Sequence, residues 1–293
     1  MASAILKLVN SHALASRDRF GSLRRWAMLR LRQSLSSEAQ IVTYAEGARL
    51  HAERRSTTVA VNHICGLRDY SEMMLLLHVS RPQDLVLDLG ANVGTYSVLA
   101  AYCAKASVIA VEPAPKTVNM LHQNLYLNGV ADQVRVVASC VSSVAGTLQF
   151  SASEDTINHV ATDRDPAGGK ISVAATTIDE VCETAVPLLI KIDIEGYELP
   201  ALRGGTRTIN DPRLKIIIIE VNASGRRYGF AAGEVDELLS TAGFAMYSYD
   251  PAKRSLEPGA PHSAENRIYV RDIEWVRARV ESARQFKIHD FTV

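Results

Sequence analysis

From about residue 81 onward, short β-branched runs alternate with longer stretches in which apolar residues recur every three or four positions. That rhythm marks parallel strands joined by crossover helices. The runs lie at 85–89, 107–112, 134–139, 188–193, 215–221, 245–249 and 267–271. Seven strands so spaced predict a Rossmann-like, doubly wound α/β domain with a mostly parallel sheet. Between the third and fourth runs, 146–151 and 170–176 predict two further strands around a polar loop that holds Asp163, Asp165, Pro166, Gly168 and Gly169. Loops of that length carry function or are disordered. Ahead of the domain, Leu23, Trp26, Ala27, Leu29 and Leu31 are interleaved with arginines at helical spacing, which predicts a basic amphipathic helix. Expected divisions are a basic helical extension over 1–60, the α/β domain over 61–275 and a tail over 276–293.

Composition narrows the picture without naming a chemistry. The 293 residues are 47% hydrophobic and 22% charged, enough apolar mass for a large core. Formal charge is zero, so no global field draws the chain to nucleic acid. The charge is uneven, however. Residues 1–36 carry Lys7, Arg17, Arg19, Arg24, Arg25, Arg30 and Arg32 against the single acid Asp18. A helix that caps the domain, a surface that touches anionic lipid or a partner, and a cleaved organellar transit peptide all fit that segment. Cys65, Cys103, Cys140 and Cys182 are widely spaced and form no zinc pattern, so they read as buried thiols. No apolar run approaches the ~20 residues of a membrane span, and a cytoplasmic protein is expected.

The candidate chemistry gathers at strand ends. Asp88-Leu-Gly-Ala-Asn-Val-Gly94 follows the first apolar run and leads into an apolar helix from Thr95, so it lies where doubly wound sheets bind ligands. Gly90 and Gly94 are expected to let the backbone approach a ligand, and Asp88 to accept from an ammonium group or a water. Glu112, followed by Pro113, ends the second run 18 positions after Gly94. An acid there accepts from both hydroxyls of a ribose, which implies adenosine. Gly90-x-x-x-Gly94 is not G-x-G-x-x-G, so a nicotinamide dinucleotide, and with it an oxidoreductase, is disfavoured. A non-catalytic interaction protein that keeps the fold is the other rival; intact Asp88, Glu112 and Asp193 speak against it.

In several ordered blocks the chain resembles the FkbM family of S-adenosylmethionine-dependent methyltransferases. Asp88–Gly94 is similar to its first motif, Glu112-Pro113 to its second, Asn124-Leu-Tyr-Leu-Asn128 to the following helix, and Lys191-Ile-Asp-Ile-Glu-Gly-Tyr-Glu198 with Leu202-Arg-Gly204 to its most distinctive block. The resemblance implies a class I methyltransferase fold, S-adenosylmethionine as methyl donor and a hydroxyl acceptor on a small molecule or sugar. Polysaccharide sugars, glycolipids, polyketide hydroxyls and carboxylates all fit it. Magnesium fits too, without being indicated, and a homo-oligomer and a peripheral membrane contact stay open. Asp193, at the end of the fourth run, is the candidate base or positioning group, with Glu195 second and Glu198 structural. Mid-strand Lys191 must meet an acid, for which Glu220 is a candidate. Tyr70 and Glu72 resemble a segment that closes over the cofactor. Gly90, Asn92, Thr95, Pro113, Ser139 and Cys140 complete the expected cofactor contacts. Asn158, His159 and Asn222 are candidate acceptor contacts.

Overall fold

The computed structural model describes residues 2–54, 56–151, 158–163, 165, 169–259 and 266–293. Pro166 and Gly168 of the expected polar loop lie outside them. Helices α1 (Ala2–Ser11) and α2 (Arg19–Leu35) lead into a hairpin of β1 (Gln40–Thr43) and β2 (Arg49–Ala52), then α3 (Thr57–Cys65) and α4 (Tyr70–Val79). The α/β part begins with β3 (Leu85–Leu89) and α5 (Thr95–Val98), which continues as a π-helical turn to Cys103. It proceeds through β4 (Ser107–Val111), α6 (Pro115–Leu127) and β5 (Val134–Val137). An insertion of β6 (Cys140–Val141), β7 (Gly146–Ser151) and β8 (Lys170–Thr176) is followed by α7 (Ile178–Cys182), β9 (Leu189–Ile192), α8 (Glu198–Arg203), α9 (Thr206–Asn210) and β10 (Ile216–Glu220). The chain closes with α10 (Ala232–Thr241), β11 (Ala245–Asp250), β12 (Ser255–Pro258), β13 (Asn266–Val270), α11 (Ile273–Glu281) and a hairpin of β14 (Lys287–Ile288) and β15 (Phe291–Thr292).

The main sheet runs β12-β11-β13-β10-β9-β3-β4-β5, with β5, β4, β3, β9 and β10 mutually parallel and β13 antiparallel to β10 and β11. The order reverses between β3 and β9, and that switch point is where such sheets open a crevice at their carboxyl ends. Both faces are covered, which is why the strands read as continuous apolar runs. Ile216 and Ile218 pack into one core, Ile217 and Ile219 into the other, as the period of two requires.

All seven expected strands are present, but among the described residues the sheet has eight. The addition, β12, is an edge strand ending in Pro258 and, among the described residues, paired only with β11. One-sided pairing makes little demand on its sequence, so it carries no apolar pattern. The insertion strands β7 and β8 occupy the expected residues and form, with β6, a separate three-stranded sheet. Residues 276–293 fold back on the body: Phe286 and Ile288 are buried in the core, and Ile288 bridges to Ala45. Helix α2 packs by one face. Its Leu29 joins the core, Arg25 Nε donates to Ile64 O at 3.1 Å, and Gln33 Nε2 donates to Glu53 O at 3.2 Å. The four cysteines are buried free thiols, and among the described residues no helix is long and apolar enough to cross a membrane.

Candidate active site

The carboxyl ends of β3, β4, β9 and β10 open into one cleft of about 410 Å³. The loop after β3 supplies its floor. Gly90 N and Ala91 N both donate to Val111 O, at 2.9 and 3.0 Å, tying the loop to the end of β4. Gly90 has φ of 75°, and a Cβ there would lie 1.9 Å from the backbone oxygen of Asp193. A Cβ on Gly94 would lie 2.5 Å from Leu121 Cδ1 of α6. Gly90 lines the cleft and also makes room for the turn after β9, whereas the expectation for Gly94 is corrected: it makes room for α6 and does not line the cleft. Asn92 takes a left-handed conformation, φ 51°, without being glycine, and its side chain accepts from Val93 N at 2.7 Å, which lowers the strain.

Glu112 is set by two backbone donors. Asn92 N donates to one carboxylate oxygen and Ala114 N to the other, each at 3.0 Å. Burial nonetheless pushes its pKa to about 7, against the pull of those two donors and with added repulsion from Asp88 and Asp193. Asp88 is buried beneath the loop and accepts from Ser97 Oγ at 2.6 Å; burial raises it to about 6. Ser139 Oγ donates to Ala174 O at 2.9 Å, so its oxygen can still accept. Cys140 lies beside it, its thiol pushed by burial to about 12 and kept neutral. Asn92, Thr95, Pro113, Ser139 and Cys140 all line the cleft.

Beyond β9 the chain makes a tight turn in which Glu195 has φ of 55° and Gly196 of 98°. A Cβ on Gly196 would strike the Ser224 carbonyl carbon at 2.5 Å, so only glycine fits under the turn after β10. Glu195 lines the cleft close to Asp193. Desolvation, then repulsion from Asp193, Glu220 and Glu198, raises Glu195 to about 7. Glu198 faces inward and accepts from Gly196 N at 2.8 Å, the structural role expected of it. Lys191 is 2% exposed and meets an acid, as expected: Asp193 is the ion-pair partner, and the ammonium also acts on Glu220 through its charge. Its Nζ sits 3.8 Å from Asp193 Oδ2, 3.4 Å from Asn266 Oδ1 and 5.4 Å over the Tyr96 ring. Glu220 accepts from Asn222 Nδ2 at 2.9 Å.

Three further expectations are corrected. Tyr70 and Glu72 do not line the cleft; their neighbours Arg68 and Asp69 do. Asp69 is the N-cap residue of α4 and faces the cleft, where it accepts from Tyr96 Oη at 3.1 Å. Tyr70 faces a separate recess beside Arg17 and Arg254, and Glu72 is buried near Asp69 and Lys191. His159 also points away. Asn158 and Val160 line the cleft, while His159 Nε2 meets Asp165 Oδ1 at 2.9 Å on the other side of this extended segment. Asn222 lies outside the cleft, accepts from Ser224 N at 2.8 Å and holds Glu220.

Arg68 is one of several cleft residues that sequence reasoning missed, with Thr57, Thr58, Thr117 and Tyr197 among the others. Burial works against the charge of Arg68, but Asp69, Asp193 and Glu220 outweigh that and keep it protonated. Its Nη1 donates to Thr58 Oγ1 at 3.2 Å, so α3 helps to frame the open side of the cleft. No periodicity marks a loop arginine. Among the described residues, no group of three or more His, Cys, Asp or Glu side chains is arranged to hold a metal ion.

Strand order and the carboxylates at successive strand ends define a doubly wound α/β protein with the class I methyltransferase fold. The profile of the methyltransferase FkbM domain matches residues 88–246, more than half of the chain. The chain belongs to the FkbM methyltransferase family. Hexuronic acid methyltransferase AglP of Haloferax volcanii is 29% identical over 195 residues, which are 64% of this chain and 76% of that protein. Methyltransferase sdnD of Sordaria araneosa is 24% identical over 193 residues, 54% of this chain and 73% of that one. The crystal structure of methyltransferase FkbM from Methylobacillus flagellatus KT superposes with a TM-score of 0.45 at 17% identity, covering 73% of this chain and 52% of that chain. This chain thus spans about half the length of that solved protein.

Proposed function

We propose that this chain transfers a methyl group from S-adenosylmethionine to a hydroxyl oxygen of a sugar or sugar-bearing acceptor. The observation that carries the reading is Glu112, aimed by two backbone N–H groups into the cleft that also receives Asp193 and Glu195. Its oxygens keep lone pairs free to accept from two ribose hydroxyls. The cleft also fits the donor's charge: Asp88, Glu112, Asp193, Glu195 and Glu220 outnumber Lys191 and Arg68, and S-adenosylmethionine carries a sulfonium and an ammonium.

When bound, that molecule supplies a methyl carbon open to displacement. The acceptor oxygen forms the new C–O bond as the C–S bond breaks, and the hydroxyl proton passes to a carboxylate. Glu195, with its proton affinity raised to about 7, suits that task. Asp193, held by Lys191 at 3.8 Å, orients the hydroxyl. Alignment in such a cleft can remove ~7–11 kcal/mol of the barrier. A sugar acceptor gains support from the Haloferax relative, described as a hexuronic acid methyltransferase, and Arg68 is the group here that would meet an acidic substituent.

Glu112→Ala removes the ribose acceptor. Charge-assisted hydrogen bonds contribute about 1.5–3 kcal/mol each, so calorimetric titration of the folded variant should show S-adenosylmethionine affinity reduced at least tenfold. Unaltered affinity would overturn the assignment.

A further inference from the structure

We infer that the outward face of α2 is a docking surface for an anionic lipid bilayer. One face of the helix, of mixed polarity, is used by the fold, and an apolar stripe on the opposite face is not. Positions 22, 25, 26, 29 and 33 turn inward, where Leu29 joins the core and Arg25 and Gln33 bond to the backbone of neighbouring segments. The opposite side carries Phe20, Met28, Leu31 and Leu35, at spacings of three, four and eight that place them on one stripe. Phe20 is 81% exposed, Leu35 79% and Leu31 52%. Single exposed apolar residues need no explanation, but a helical stripe of four large ones does.

The charges around the stripe select the partner. Arg24 stands within it, Arg19 and Arg30 on one flank and Arg32 on the other, and α2 contains no acid. Among the described residues, Arg19, Arg24 and Arg32 meet no carboxylate. An in-plane helix of this kind sinks its apolar stripe into the acyl boundary while the arginine stems extend to lipid phosphates and carboxylates. A second copy of the chain fits poorly, because a two-fold contact through this face would set arginines against arginines. Nucleic acid would use the arginines and leave the Phe20–Leu35 stripe in water. The helix lies one element away from the cleft, since α3 packs on α2 and presents Thr57, Thr58 and Val61 to the cleft. A bilayer held by α2 would bring a membrane-borne acceptor close to that opening.

The test uses the full chain and vesicles of phosphatidylcholine with or without phosphatidylserine. Co-sedimentation should be at least tenfold stronger with phosphatidylserine and should fade as salt rises. Phe20→Ser/Leu31→Ser/Leu35→Ser should lower it at least tenfold. Arg24→Glu/Arg32→Glu should abolish the preference for the anionic lipid by roughly 20-fold or more. Both variants change only outward side chains and should melt with the parent protein. No binding by the parent, or binding that neither variant alters, would overturn the inference. So would a parent dimer that the triple serine variant separates while vesicle binding is absent, since a second copy would then be the occupant.

Discussion

Glu195 sits at the meeting of two local constraints, a left-handed backbone and three neighbouring carboxylates. Neither is written in its own identity. The sequence shows an acid after Ile194, as it does at Glu198, yet one is turned into the cleft and the other onto a backbone N–H. If Glu195 takes the acceptor's proton, Glu195→Gln should lower turnover ~100-fold or more while S-adenosylmethionine affinity stays within tenfold. At saturating S-adenosylmethionine and acceptor, the rise of kcat with pH near 7 should vanish in the same variant, since that rise reports ionisation of the raised carboxyl group in the complex. A near-normal rate with an unchanged pH profile would assign the proton transfer elsewhere. His159 gives the contrary lesson: it lies in the insertion that borders the cleft, but the extended backbone sends alternate side chains to opposite sides, and Asp165 takes it.

At the scale of elements, the cleft exists because strand ends approach each other closely. Gly90 is the contact where β3 and β9 would otherwise collide, with a left-handed φ and a backbone oxygen in the place of its Cβ. Gly90→Ala therefore combines backbone strain of about 1–2 kcal/mol with overpacking of about 1–3 kcal/mol. Urea unfolding should show a loss of about 2 kcal/mol or more. Gly94→Ala should cost less, because its Cβ would meet only the movable end of Leu121. Equal losses would show that packing across the strand ends is not the constraint. The strands themselves were legible because apolar runs covered on both faces carry a strong signal, and the insertion strands were legible between their turn residues. The edge strand β12 was not, and neither was the side of α4 that Tyr70 takes, which depends on how that helix packs.

Over the whole molecule, the buried acids make stability depend on pH in a direction opposite to ordinary salt-bridged carboxylates. Glu72, Glu112, Glu195 and Glu198 are raised from 4.5 to about 7, each chiefly by burial. The native chain then holds more protons than the unfolded chain in that window, so their contribution is complete below 4.5 and is lost as pH rises through about 7. His78 and His289, lowered by burial from 6.5 to about 4, act in the other sense, but only below 6.5. Above the ordinary imidazole value, the carboxyl groups act unopposed by these two. The ligand-free protein should therefore lose melting temperature as pH rises from 6.5 through 7, and Glu112→Gln should flatten the slope. A cationic ligand favours the ionised acids, so the stabilisation by S-adenosylmethionine should grow over the same interval. A melting temperature that rises there would contradict the burial of these groups.

Order along the chain determined the main features of this protein: which runs are strands, that they alternate with helices, and that Asp88, Glu112 and Asp193 each stand at a strand end. These are local properties, because periodicity and glycine placement are read over a few residues at a time. Tertiary structure decided the rest. Asp193 rather than Glu220 lies 3.8 Å from the Lys191 ammonium, Arg68 rather than Tyr70 faces the cleft, and Gly94 touches Leu121 rather than open space. Each outcome depends on the phase of a helix or on the approach of segments far apart in sequence, and a side chain's direction is set by the packing of the elements that carry it.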